Sequence, residues 1–221
     1  MNLTLTRRVL AAGAGVGTAA LLTASMGTAS ATTPPEPATV SADLDGIGVN
    51  DTVTLAVLPS GQFELSADLG TMTVRAPVGD GTPQPLVDPR PTDVNSDGTD
   101  EVLVPEFVGA NTLTFHLWAY DPARGLYETT TPDGAPLAVY EGGGIATRNG
   151  YECPADHDGR ALDLVSGSMQ GDPGNLRYDG ERVTYLVQDG VATPVYTTPF
   201  TGVTVDDPVL ATDPASCAPV S

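Results

Sequence analysis

DVNSDGTDEVLV occupies residues 93–104, and its two halves follow different rules. The first nine residues hold five Asp, Asn or Glu side chains and one glycine. Asp93, Asn95 and Asp97 alternate along the stretch, Gly98 permits a sharp reversal, Thr99 offers a backbone carbonyl and Glu101 closes the set. Alternate residues of a tight loop can point inward together, so their oxygens converge on one point. Left without a cation, such carboxylates repel one another. A hard divalent ion with several oxygen ligands resolves that repulsion, and calcium fits best by size and tolerance of irregular geometry. Magnesium ranks second because it demands stricter geometry and keeps its waters. The last four residues, Glu-Val-Leu-Val, read as a strand. An EF-hand is excluded on two counts: Val104 stands where the closing bidentate Glu would be, and a strand follows where a helix is required.

Two further acidic loops lead into strands. ADLDGIGVNDTVTL (42–55) carries Asp43, Asp45 and Asp51, with Ile47 in the place of the central ligand. ADHDGRALDLV (155–165) carries Asp156, Asp158 and Asp163 and reads as a degenerate copy, one residue short before its strand. The spacings are about 50 and then 63 residues. After the second and third loops the order is strand, gap, hairpin, and about four strands per 50–60 residues is the size of a propeller blade. The D-x-D-x-D-G-x-x-D-type loop before a strand resembles the FG-GAP/VCBS repeat family, and most of all its small actinobacterial-type exported members. The resemblance covers most of residues 42–200 by rhythm and is specific only at the loops. It implies β-propeller-like blades, calcium loops between strands and a place outside the cell. Three blade-like repeats are expected, over about 42–91, 92–150 and 151–205. A closed propeller needs at least four blades, so an open or partial arrangement or a sandwich of sheets is expected.

The rest of the chain agrees with an all-β fold of antiparallel meanders. With 25 Gly and 20 Pro, no window of a dozen residues shows good helical periodicity. Short β-rich runs recur between turn residues. Ser60-Gly61 and Asp189-Gly190 mark two-residue hairpins, and DPARG (121–125) a longer one.

Residues 1–31 read as a secretory signal: Arg7 and Arg8, a weakly apolar run, then Ala29-Ser30-Ala31. The paired arginines suggest the twin-arginine route, with Sec export the rival. TTPPEPATVS (32–41) reads as a flexible leader, and 42–221 as a single domain with a real core. All 28 acidic residues follow residue 31, against seven arginines and no lysine, so the mature net charge is −21. Twenty of the 28 acids are Asp, the residue of turns and metal loops. A chain with so few cations should avoid nucleic acid, and no later stretch is apolar enough to insert in a membrane. The expectation is a secreted monomer with an unidentified protein or glycan partner. Cys153 and Cys217 are expected to form a disulfide in an oxidising compartment, with two unpaired thiols as the alternative.

Catalytic signals are weak, and no catalytic residue is assigned. In LTFHLWAY, alternation places His116, Trp118 and Tyr120 on one strand face, a possible ligand surface, and Leu113, Phe115 and Leu117 on the other. His157 sits between Asp156 and Asp158, which would hold it charged. There is no G-x-S-x-G, P-loop or H-E-x-x-H. The expected function is a calcium-stabilised binding or structural module outside the cell. The alternative is a secreted hydrolase of glycan or phosphoester with a calcium site near its active centre.

Overall fold

Apolar and polar residues alternate along the chain, and the backbone follows that period of two. The computed structural model describes residues 35–79, 86–156, 159–172 and 174–219, all within the unit 34–221. The signal expected over residues 1–31 and residues 32–34 of the expected leader lie outside the described residues. Apart from two 3-10 turns, Pro208–Leu210 and Pro214–Cys217, the regular structure described is all strand. No helix among the described residues is long and apolar enough to cross a membrane.

β1 (Ala38–Ala42), β2 (Asp51–Val57), β3 (Phe63–Asp68) and β4 (Thr73–Val78) form an antiparallel meander in chain order. β5 (Arg90–Thr92), β6 (Glu101–Val108), β7 (Thr112–Asp121) and β8 (Gly125–Glu128) form a second. Next come β9 (Ala138–Gly142), β10 (Thr147–Glu152) and a small hairpin of β11 (Ala155–Asp156) and β12 (Gly159–Arg160). β13 (Leu162–Gln170), β14 (Arg177–Gln188) and β15 (Val191–Val203) complete a third meander with β10. β9 joins the second meander to the third. It lies along the Thr112–His116 half of β7, while β8 takes the Trp118–Asp121 half. The result is one open sheet of nine strands beside one of four. The described strands do not close into a ring.

Each acidic loop follows the first strand of its meander rather than opening the repeat, because β1 and β5 precede the first two loops. Those strands are short and polar, ATVSA and RPT, and carry little period-two signal. The leader expected over 32–41 is correspondingly shorter. Residues 38–41 pair with β2, and Ala38 and Ala42 are buried on one face of β1.

The second meander is the middle layer. Val102, Val104, Trp118 and Leu126 pack with Leu44, Val53, Leu55 and Leu65 of the four-stranded sheet. One residue out of phase, Leu103, Phe115 and Leu117 pack with Tyr151, Leu162, Val187 and Ala192. Burial on both faces explains why Val102-Leu103-Val104 is an unbroken apolar run instead of an alternating one. A third cluster, Val165, Tyr178 and Phe200, is covered by Val209 and Leu210 of the C-terminal tail.

That tail is held by chemistry as well as packing. Cys153 and Cys217, 64 positions apart in sequence, form a disulfide with Cα atoms 4.8 Å apart. Both cysteines are buried, at 3% and 0% exposed. Cys153 N–H donates to Ser216 Oγ at 2.8 Å, and Asp93 N–H donates to the Cys217 carbonyl at 2.9 Å. Closing a loop of this length removes about 4 kcal/mol of chain entropy from the unfolded state. The double variant Cys153→Ser/Cys217→Ser should therefore lose about 4 kcal/mol in urea unfolding, with a similar m-value. An unchanged midpoint would show that the bridge adds nothing to the fold.

Candidate metal centre

The first two acidic loops are structural copies. Ala42 faces Asp51 across β1 and β2, and Thr92 faces Glu101 across β5 and β6, so each loop spans eight residues, 43–50 and 93–100. Both turn through two left-handed residues at matching places: Gly46 (φ 70°) with Gly48 (φ 78°), and Ser96 (φ 57°) with Gly98 (φ 90°). In both, the closing acid accepts from the second loop residue. Leu44 N–H donates to Asp51 Oδ2 at 3.0 Å, and Val94 N–H donates to Glu101 Oε2 at 3.0 Å. Leu44 and Val94, each 1% exposed, anchor the loops in the core.

In the first loop Asp43, Asp45 and Asp51 bring one carboxylate oxygen each to within 4.8 Å of one another. Asp43 Oδ1 is buried without a hydrogen-bond partner in the described structure. Asp51 is 5% exposed, and burial pushes its carboxyl up. The Leu44 N–H opposes that shift, while Asp45 and Asp43 add to it. Three converging carboxylates, one with an orphaned oxygen, fit a metal ion of hard, oxygen-seeking type.

The 93–101 loop carries the fuller motif but arranges it differently. Asn95 Nδ2 donates to Asp97 Oδ2 at 2.8 Å and to Glu101 Oε1 at 3.2 Å. Asp97 Oδ1 accepts from Thr99 N–H at 2.9 Å and Thr99 Oγ1 at 2.6 Å, and Asp93 Oδ1 accepts from Ser96 N–H. The carboxylates are thus turned partly onto their own loop. Glu101 is 3% exposed, and burial pushes it up to about 8 against the Val94 N–H, with Asp97, Asp93 and Asp100 adding to the rise. A cavity of about 170 Å³ lies under the loop, lined by Asn95, Asp97, Glu101 and Thr129 among others. Thr129 is fully buried, and its Oγ1 has no hydrogen-bond partner in the described structure. The convergence of three carboxylate oxygens seen in the first loop is not repeated among the described residues of this one.

The loops stack along one rim. Asp43 N–H donates to Asp100 Oδ2 at 2.7 Å, and Asp100 N–H returns a bond to the Asp43 carbonyl at 2.8 Å. Burial, with Asp93 and Asp43 close by, raises the Asp100 carboxyl despite the Asp43 N–H. Gly46 backs onto the second loop so closely that a Cβ there would lie 2.8 Å from Thr99 Cγ2. From the third loop, Arg160 Nη1 donates to the Asp93 carbonyl at 2.8 Å and to the Ala218 carbonyl at 2.7 Å. Asp100 and Arg160 were not among the sequence-derived candidates. Their signal is weak: an extra acid beside Glu101, and a lone arginine in an acidic loop.

The closing acid of the third loop meets an arginine, although its Oδ1 has no hydrogen-bond partner in the described structure. Glu152 faces Asp163 across β10 and β13, so register places Asp163 where the other loops have Asp51 and Glu101. Cys153 falls where they have Asp43 and Asp93, and the loop runs 153–162, longer than the other two. The sequence reading of a loop one residue short is corrected here, because the β11–β12 hairpin is inserted in it. Asp163, 7% exposed, takes Arg182 Nη1 at 3.1 Å, and the same guanidinium binds Glu152 and the Val209 and Ala211 carbonyls. The side chain of Asp156, and all of His157 and Asp158, lie outside the described residues. Removing one partner of a buried pair leaves an uncompensated charge. Arg182→Met should therefore cost about 3 kcal/mol in chemical unfolding, with or without calcium. A loss that added calcium fully repairs would contradict this assignment.

His116, Trp118 and Tyr120 share a face, as alternation requires, and it is the face turned to the four-stranded sheet. Trp118 is only 5% exposed and belongs to that core, with Tyr120 packed against it. His116 Nδ1 lies 3.1 Å from Glu128 Oε1. Burial disfavours the charged imidazole, but the hydrogen bond and charge of Glu128, helped by Glu106, outweigh it and raise the His116 pKa. A raised histidine stabilises the fold below its unfolded value, near 6.5, and that contribution fades as pH rises through the folded value. Glu128→Gln should therefore cost about 1 kcal/mol at pH 5.5 and much less at pH 9. An equal cost at both pH values would rule out the charged pair.

No protein-family model, curated protein or solved structure matches the chain.

Proposed function

We propose that this chain is an exported, calcium-stabilised β-repeat module that works outside the cell by binding or as a structural element. The observation that carries this reading is the convergence of Asp43, Asp45 and Asp51 in a loop whose backbone is repeated 50 residues later. One carboxylate cluster can arise by chance. Two loops of equal length, with left-handed residues at the same places and the same closing bond, argue for a common ligand. All-oxygen donors in irregular geometry favour calcium over magnesium or a transition metal. The same features support kinship with FG-GAP/VCBS-type repeats. The disulfide and the lack of a membrane-spanning helix among the described residues are compatible with secretion.

Calcium would supply counter-charge here, and this chain's residues do the rest. Asp43, Asp45 and Asp51 would hold one ion; Asp93, Asn95, Asp97, the Thr99 carbonyl and Glu101 would hold the other. Each ion would fix where β2 or β6 begins. The hydrolase alternative is less well supported, because it needs the loop's ion to face His116 and Trp118. Glu101 lies one residue out of phase with Val102 and Val104, which pair with Trp118 and His116, so it faces the opposite side of β6.

Each site held at a hundredfold excess of ion over its dissociation constant adds about 2.7 kcal/mol. With two sites, thermal unfolding in millimolar calcium should therefore lie about 10–20 °C above that in excess EDTA, with magnesium giving less. Asp51→Asn and Asp97→Ala should each remove part of the difference. Identical melts in calcium and EDTA would refute the reading.

A further inference from the structure

The face of β7 that carries His116 continues toward the β6–β7 turn, and there it is open to solvent. Phe107, Thr114 and Tyr140 pair directly across β6, β7 and β9, so their side chains stand on one face. Phe107 is 54% and Tyr140 45% exposed. Two strand spacings separate them, about 10 Å. The next row is nearly bare. Gly109 N–H donates to the Thr112 carbonyl at 2.8 Å across the turn, and Gly142 pairs with Thr112 on the other side. Thr112 is therefore the one side chain of that row. The Phe107 ring leans onto Gly109, where a Cβ would lie 3.3 Å from Phe107 Cε1. The result is a flat ledge with an aromatic ring at each end and the Thr112 and Thr114 hydroxyls between. Neither row holds a charged side chain. Glu141 follows Tyr140 but lies on the opposite face, 2.6 Å from Arg90. Glu106, the extra residue of a bulge beside Phe107, turns onto Gly79, where a Cβ would lie 2.9 Å from its Oε1. An uncharged ledge on a chain of net charge −19 repels polyanions and offers a cation no carboxylate of its own.

We infer that this ledge binds an extended, uncharged β-1,4-linked glucose chain. The ring hydroxyls of such a sugar are equatorial, so both faces of every unit are C–H surfaces. Those surfaces stack on Phe107 and Tyr140, whose ring faces carry partial negative charge. One unit of an extended chain is about as long as one strand spacing, so the first and third of three units meet the rings and the second lies over Thr114. The Thr112 and Thr114 hydroxyls exchange hydrogen bonds with those of the sugar. A flat ligand suits the site because the Gly109, Thr112 and Gly142 row offers no pocket for a bulky side chain. This names a ligand class for the binding role proposed above and rests on that role, but it does not need the ions.

The test is calorimetric titration of the full mature protein, in saturating calcium, with cellohexaose. Maltohexaose, the same sugar in a coiled chain, and carboxymethylated cellohexaose, an acidic chain, are run in parallel. The expected result is saturable binding of cellohexaose, with both comparators at least about tenfold weaker. Phe107→Ala and Tyr140→Ala, each with unchanged far-ultraviolet circular dichroism, should each weaken cellohexaose binding about tenfold. Tyr196→Ala, which removes an aromatic ring 66% exposed on β15, should leave binding unchanged. No binding, equal binding of the three sugars, or a loss in Tyr196→Ala as large as in Phe107→Ala would overturn the inference. Such failure alongside a calcium-dependent melt would leave the metal reading standing.

Discussion

A carboxylate buried at the start of a strand needs a positive partner, and that requirement shapes this molecule. The second strand of every meander opens on or next to such a group: Asp51, Glu101 and Asp163, at 5%, 3% and 7% exposed. Burying a lone carboxylate is costly, and one backbone N–H does not offset it. Asp163 takes a guanidinium from β14, in covalent company with the Cys153–Cys217 bridge. Asp51 and Glu101 instead sit among further oxygens, where the calcium proposed above would supply the positive charge. On that proposal, two of the three buried acids are balanced by an ion and the third by an arginine of the chain itself.

The rim where these groups lie also ties the layers together. Asp100 clasps the first loop to the second, Arg160 clasps the third to the second, and the Cys217 carbonyl receives the Asp93 N–H. The hydrophobic clusters reach the first two loops through Leu44 and Val94, and the rest of those loops is left to electrostatics.

Much of the fold was legible where side-chain period and burial coincide. The opposite phases of His116, Trp118 and Tyr120 against Leu113, Phe115 and Leu117 follow from alternation, and the all-β antiparallel class follows from such runs. The Asp189-Gly190 turn is a two-residue hairpin between β14 and β15, as its residues require. β1 and β5 were hidden because strands of five and three residues carry too few side chains to show a period. The candidate loops were found by their Asp/Gly pattern, but their ranking by motif completeness does not match the geometry. Ile47 interrupts the first motif and points to solvent at 67% exposed, leaving Asp43, Asp45 and Asp51 free to converge. The fuller second motif spends its carboxylates on loop N–H groups. Arg182 was invisible locally, since it meets Asp163 only through the β13–β14 pairing.

Calcium titration by calorimetry on the chelator-stripped mature protein, disulfide intact, puts the charge-neutralising loops to the question. Two ions should bind per chain, one lost in Asp51→Asn and the other in Glu101→Gln, while Arg182→Met leaves the count at two. No heat of binding, or a count that stays at two when both Asp51 and Glu101 are replaced, would mean that the buried carboxylates are balanced in some other way.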